Sequence, residues 1–523
     1  MSDIYSPSRS PLPAGTKYRA DVDGLRAIAI LSVIAFHAFP NWVPGGFVGV
    51  DVFFVISGFL ISSVIVEHLQ AGMFSFVGFF QRRVRRIFPA LCVVLLSCAV
   101  AGWYLLSAGD YARLGKHIAG GAGFVANLVL WKEAGYFDAT SDTKPLLHLW
   151  SLGIEEQFYF VWPVALWLAW RLRWNLLVVT ALVLLTSFAA NLVMVRSDAV
   201  ANFYLPTTRI WELLIGAALA GVAATRSSWL AIAWKFATPL AAAGLAALLL
   251  AEVLLTKDAL FPGGWALLPT LGAAALIAAG PDTAINRRFL AHPAMVWIGL
   301  ISYPLYLWHW PILAFLRITA VFKSELAIGL CAIGASFVLS WLTYRFIERP
   351  FRAAHPTRPA QPRRAASTRT WSPNVKAVGL VACMLLSALL GGAIFRTDGE
   401  LHKDRFKVAA LPPLPDKKVF EELKIYEHYD RPNTSCRDKL KMDEPFNEEV
   451  CVTNSSAPKV LFFGDSHAMG LYSAIFANQV SVPSVLIASP GCLVYPNLVY
   501  KPNGKEWGQN CSDIAKKGVA YAK

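Results

Sequence analysis

The chain has 523 residues, is 56% hydrophobic and only 16% charged, and carries a formal net charge of +14. A soluble domain holds about 25% charged residues, and the apolar residues here come in long runs rather than period-3.6 stripes, so a multi-span membrane protein is indicated. Nucleic acid is not the implied partner, because the arginines concentrate in a few loops between apolar runs, the positive-inside pattern.

Residues 1–21 are polar and lack an apolar core, so no removable signal peptide is read there and the first span is expected to act as an uncleaved signal. Twelve apolar runs follow, near 24–40, 47–66, 88–107, 113–131, 154–171, 174–194, 207–224, 236–255, 264–280, 296–317, 324–346 and 376–396. In the first, Arg26 and His37 are eleven residues apart, about three helical turns, so their side chains share a face. A charge within a span costs about 2.5–3.5 kcal/mol on insertion scales and marks function unless the side chain snorkels to the headgroups. The second run carries Asp51 near one end. Residues 81–86 then hold Arg82, Arg83, Arg85 and Arg86 with no acid. Arg83 with Arg86, and Arg82 with Arg85, share helix faces, and either fork suits a phosphate or pyrophosphate. The plain alternative is a stop-transfer cluster at the lipid headgroups.

The fourth run is the weakest, with Lys116, His117 and Asn127 among glycines and alanines. Residues 148–163 bring His148, Glu155 and Gln157 into an aromatic, apolar helix. One of the adjacent glutamates could serve as a helix-start charge, but two acids and a glutamine exceed that need. Residues 302–311 add Tyr303 and a second intramembrane histidine, His309, whose flanking tryptophans also suit an interfacial belt. Residues 345–369 carry seven arginines against the single acid Glu348. This segment, residues 82–86 and the smaller basic loops at Arg171/Arg173 and Arg287/Arg288 fall on one side only if 113–131 does not cross. Eleven spans are therefore expected, with the amino terminus inside, the tail outside, and 113–131 a re-entrant or surface helix.

Cys92, Cys98, Cys331 and Cys383 lie in spans and read as small apolar residues. Cys436, Cys451, Cys492 and Cys511 all follow the last span, an even set that suggests disulfides in an oxidising compartment. Loop length favours Cys436 with Cys451 and Cys492 with Cys511, among three pairings. In the tail, Lys459-Val-Leu-Phe-Phe-Gly-Asp-Ser-His reads as a strand entering a polar turn before a helix, where a serine hydroxyl meets amides that stabilise an oxyanion. Asp and Ser are also ordinary caps.

Taken in order, the Arg26-to-His37 spacing, Gly-Val-Asp-Val-Phe-Phe-Val-Ile-Ser-Gly, Arg-Arg-Val-Arg-Arg-Ile-Phe-Pro-Ala, His-Leu-Trp-Ser-Leu-Gly-Ile-Glu-Glu-Gln-Phe-Tyr, Ser-Tyr-Pro-Leu-Tyr-Leu-Trp-His-Trp-Pro and Phe-Ile-Glu-Arg-Pro-Phe resemble the acyltransferase-3 family of membrane O-acyltransferases. The resemblance covers roughly residues 18–352. It implies transfer of an acyl group, usually acetyl, from cytoplasmic acyl-CoA to a hydroxyl of a surface glycan. The family's Arg-to-His motif falls on Arg26 and His37, and its Arg-x-x-Arg motif on Arg83 and Arg86, with the overlapping Arg82/Arg85 pair leaving the register open. Gly464-Asp465-Ser466-His467 resembles the nucleophile block of SGNH hydrolases, α/β sandwiches, which implies Ser466 as nucleophile, with Asp465 beside it and Gly491 as an oxyanion glycine. The family's later asparagine and Asp-x-x-His blocks are not found, so this domain is expected to be incomplete in the chain.

The expected fold class is thus an α-helical polytopic membrane protein with a carboxyl-terminal α/β SGNH-like domain. The expected segments are an acyltransferase-3 membrane domain at 1–352, a basic cytoplasmic linker at 353–375, a tethering helix at 376–396, a periplasmic linker at 397–457 and the start of the SGNH-like domain at 458–523. The implied donor is acetyl-CoA, with no metal. The implied partners are the lipid bilayer of a bacterial inner membrane and a surface glycan such as lipopolysaccharide O-antigen, with peptidoglycan or an exported small molecule as alternatives. His37, Arg26, Glu155 and Ser466 are the expected catalytic residues, and oligomeric state is left open. A proton-coupled transporter would also place acids and histidines in spans, but the chain shows no internal repeat.

Overall fold

A computed structural model describes residues 18–134, 143–225, 235–256, 259–319, 321–322, 324–352 and 373–397, together with three strands of the tail. The chain forms two units, residues 1–406 and 407–523.

In the first unit every apolar run contains a helix. The order is α1 Ala20–Ala38, α2 Gly49–Gln70, α3 Phe76–Leu105, α4 Ala108–Ala122, α5 Ala126–Glu133, α6 Leu149–Arg171, α7 Leu176–Ser197, α8 Ala199–Tyr204, α9 Ile210–Ala224, α10 Ala237–Leu254, α11 Leu267–Ala279, α12 Pro293–Thr319, α13 Glu325–Leu342 and α14 Pro373–Arg396. Among the described residues, six stretches are long and apolar enough to cross a bilayer: Gly46–Gln70, Phe76–Leu105, Leu176–Ser197, Ala237–Leu254, Glu325–Phe351 and Val375–Arg396. The other expected crossings fall short of that standard for two reasons. In α1, α6 and α12 the apolar run is interrupted by polar and indole-bearing residues. α9 and α11, with 15 and 13 residues, are shorter than the ~20 a crossing needs.

The run 113–131 is not one helix. It breaks between α4 and α5 at Gly123–Val125, where Phe124 takes φ 55°, and neither piece is long enough to cross alone. Gln157 Nε2 holds the break against α6, donating to the Phe124 carbonyl and to Asn127 Oδ1, both at 2.9 Å.

α1 lies at the centre, with Ala27, Ala29, Ile30 and Val33 fully buried, packed on α2, α12 and α13. α2 and α9 run so close that Gly58 meets the Leu213 carbonyl and Gly216 the Val55 carbonyl, where a side chain on either glycine would collide. The basic segments gather at one end of the bundle. Phe76 at the start of α3 meets Trp167 near the end of α6 at 5.7 Å, the 343–348 turn packs on α3, and Asn286 Nδ2 donates to Asp21 at the start of α1 at 3.2 Å.

In the second unit the described residues are β1 Val450–Thr453, β2 Val460–Gly464 and β3 Ser484–Ala488, in the order β1-β3-β2. β2 pairs with β3 in parallel and β1 with β3 antiparallel. Two strands consecutive in the chain and parallel require a crossover between them, the α/β pattern expected from the sequence.

Candidate functional site

Two cavities open at opposite ends of the helices around α1. The first lies at the arginine end and has a volume of about 80 Å³. α3 starts on Ser75, whose hydroxyl accepts the Gly78 N–H at 3.2 Å, so the arginine cluster falls in the helix's second and third turns. Arg83 and Arg86 face the cavity, joined by Arg26 from α1. Arg82 is exposed and Arg85 Nε donates to the Gln81 carbonyl at 3.3 Å; neither lines the cavity. The geometry therefore selects the Arg83/Arg86 register. Arg26 pairs with Asp23 at 3.3 Å, and the Arg83 guanidinium lies 5.0 Å over the Tyr159 ring. Glu155 accepts hydrogen bonds from the Ser57 and Tyr159 hydroxyls. Glu156, 5% exposed, presents a buried carboxylate oxygen with no partner among the described residues. Tyr303 closes the wall, its hydroxyl donating to the Ile87 carbonyl at 2.9 Å.

The second cavity, about 420 Å³, is lined by His37, His148, Asp51, Arg209 and aromatic side chains. His37 is eleven residues from Arg26, about 16 Å along the helix. His37 Nδ1 lies 3.0 Å from His309 Nε2, and His309 Nδ1 lies 2.7 Å from the Tyr306 carbonyl. A carbonyl only accepts, so His309 carries its proton on Nδ1 and offers a lone pair at Nε2. His37 must then donate from Nδ1, which makes Nε2 its basic nitrogen. The Trp310 ring meets His37 edge-on at 4.5 Å, and Arg317 donates to the His37 carbonyl at 3.1 Å. Pro304 and Pro311 sit inside α12 and remove two helix donors around the Tyr306–His309 turn.

Sequence reasoning missed Arg209. It donates to Asp51 at 3.0 Å and pairs with Glu212 at 3.3 Å, and none of the three is more than 1% exposed. Phe54, Trp150, Phe203 and Phe261 surround its guanidinium at 5.5–5.7 Å, a cation–π enclosure. The available signal was an arginine and a glutamate, three apart, opening an apolar run.

Of the other expected residues, Gln157 lies outside both cavity linings and serves the α4–α5 break. Cys92, Cys98, Cys331 and Cys383 are unpaired, the first two buried and Cys331 exposed. Cys451 falls on β1. Asp465, Ser466, Gly491, Cys436, Cys492 and Cys511 lie outside the described residues, as does most of the expected linker 353–375.

The cavities have two lining residues in common, Val50 and Tyr306. An arginine-lined cavity and an imidazole-lined cavity thus share two wall residues inside a bundle of apolar helices. The chain belongs to the acyltransferase-3 family: residues 19–345 match its acyltransferase-domain model, and residues 435–523 match the model of the SGNH domain fused to such domains. It is 31% identical over 354 residues to the peptidoglycan O-acetyltransferase OatA of Listeria monocytogenes, a match covering 64% of this chain and 56% of that protein. It is 32% identical over 361 residues to a putative O-acetyltransferase of Staphylococcus aureus, covering 64% and 58%. The putative peptidoglycan O-acetyltransferase YrhL of Bacillus subtilis is 32% identical over 351 residues, covering 64% and 55%. The chain thus spans a little over half the length of these relatives. No solved structure matches it.

Proposed function

We propose that the chain is a membrane O-acetyltransferase that takes an acetyl group from acetyl-CoA at the arginine end and delivers it to a glycan hydroxyl at the His37 end. The observation that carries this is that the two cavities have Val50 and Tyr306 as common wall residues, so a thioester reaching from the cationic residues to the base would pass between these two side chains. Three guanidiniums suit the phosphates of CoA.

His37 Nε2 takes the proton of the attacking hydroxyl, a general-base effect typically of 10²–10⁴-fold. The hydroxyl oxygen bonds to the carbonyl carbon, the carbon–sulfur bond breaks, and the proton leaves on the CoA thiolate. His309 accepts from the His37 Nδ1–H and strengthens that bond as the ring becomes cationic. Arg26 belongs to the donor side, with Arg83 and Arg86, and Glu155 anchors the wall through Ser57 and Tyr159. In the tail, Ser466, with Asp465 and Gly491 beside it, is the proposed nucleophile of a second transfer: its oxygen attacks the acetyl ester made at the His37 end, the alcohol of that ester leaves with the serine's proton, and the acetyl-serine then passes the group to a further glycan hydroxyl.

The proposed setting is a bacterial inner membrane, with the arginine end cytoplasmic and the tail periplasmic, a reading the basic loops support. The names of the Listeria and Bacillus relatives favour a peptidoglycan acceptor; the O-antigen acceptor rests on the sequence resemblance alone. Radiolabelled acetyl-CoA should leave ester-linked label on added glycan, and mass spectrometry of cell-surface glycans with and without the protein identifies the acceptor. Uptake of a solute into proteoliposomes without ester formation would establish a transporter instead.

A further inference from the structure

The two residues common to both cavity linings, Val50 and Tyr306, are each held firmly in place. On one side, the Tyr306 hydroxyl donates to the His148 carbonyl at 2.7 Å. Since that proton is committed to a carbonyl, Ser151 Oγ, 2.6 Å away, donates to the Tyr306 oxygen. The ring also rests against Phe53, His148 and His309, with centroids 5.3–6.4 Å apart. Its own carbonyl holds His309 Nδ1. Moving this side chain therefore means breaking two hydrogen bonds and disturbing the support of His37.

On the other side stands Val50, only 9% exposed. Its branched side chain has little rotamer freedom. Its backbone is fixed by the preceding Gly49, which packs so tightly on the Ala29 carbonyl of α1 that a side chain there would collide. Neither wall can retreat cheaply.

We propose that Val50 and Tyr306 form a constriction that measures the acyl group, passing acetyl and rejecting longer chains. The inference rests on the acetyl-transfer reading and deepens it. The phosphates of the donor stay among Arg26, Arg83 and Arg86 and its arm carries the sulfur away from them, while the attacking hydroxyl must lie within hydrogen-bond reach of His37 Nε2. The carbonyl carbon, which bonds to both in turn, therefore occupies the junction. The acyl tail is the one part of the donor that must fit between the two side chains. A well-packed pocket discriminates by roughly 10–200-fold per methylene, enough to separate acetyl from butyryl without any charged group.

The test compares acetyl-CoA with butyryl-CoA on the full chain in proteoliposomes with a glycan acceptor, reading the ratio of kcat/KM for the two donors. Val50→Ala should raise the butyryl-to-acetyl ratio by about tenfold or more. Val50→Ile narrows the gap and should lower kcat for acetyl transfer while leaving the KM for acetyl-CoA near its starting value. An unchanged ratio in active Val50→Ala protein overturns the proposal. So does full acetyl transfer by Val50→Ile, which keeps the proposal testable should the alanine variant fail to fold. Absence of acetyl transfer by the unaltered chain with either donor has a different signature: it removes the function on which the constriction depends.

Discussion

His309 fixes which nitrogen of His37 is basic, so the two rings should have separable effects. His37→Ala should abolish glycan acetylation with membrane insertion intact; normal acetylation by that variant sinks the proposed base. His309→Phe removes the acceptor for Nδ1–H together with the donor to the Tyr306 carbonyl, so it should lower kcat by about 10–100-fold, the order of cost seen when a partner that orients an imidazole is lost, with the KM for acetyl-CoA unmoved. Arg209 is read through stability. Arg209→Met strands Asp51 and Glu212 in the bundle and should destabilise by about 3–5 kcal/mol, seen as a lower melting temperature in detergent. Adding Asp51→Asn should recover part of that loss; no recovery would mean the ion pair is not what Arg209 maintains. The histidines were legible in the sequence because isolated polar side chains in apolar runs are costly, and the arginine fork because four arginines stand together with no acid among them. Arg209 was not, because an arginine beginning an apolar run looks like a headgroup anchor. Its partner Asp51 is 158 residues away and is brought to it by the Gly58–Gly216 approach of α2 and α9, a tertiary fact.

α3 supplies the proposed donor end, and there geometry can be set against charge. Replacing both Arg83 and Arg86 with Lys keeps two positive charges but loses the planar fork that grips phosphate bidentately. The double variant should raise the KM for acetyl-CoA several-fold, while the corresponding Arg82/Arg85 variant, altering residues outside the cavity, should not. Equal kinetics for the two variants would leave the cluster as a topology signal. The weakness of the 113–131 run was readable from its glycines and charges, and the structure shows the break as α4 and α5. What composition did not reveal is that Gln157, one residue beyond the cavity residue Glu156, faces the other way. Adjacent residues on a helix point about 100° apart, so Glu156 lines the arginine cavity while Gln157 braces Phe124 and Asn127.

Across the whole molecule, the hydrogen-bond chain His37–His309–Tyr306 carbonyl has a blind end, since a backbone carbonyl cannot take the proton onward. A proton gathered at His37 Nε2 therefore returns to the cavity, where the departing thiolate, a far stronger base than water, collects it. Under the proposed orientation one acylium equivalent moves outward as one proton moves inward, charge for charge. Turnover should then be electrically silent. The rate of acetylation in vesicles should stay constant when a potassium diffusion potential of either sign is imposed, and a rate that follows the voltage would mean the proton escapes to the outer water instead. A machine that carries an activated group across an insulating layer would in this way draw on the thioester alone, without a claim on the membrane's electrical reserve.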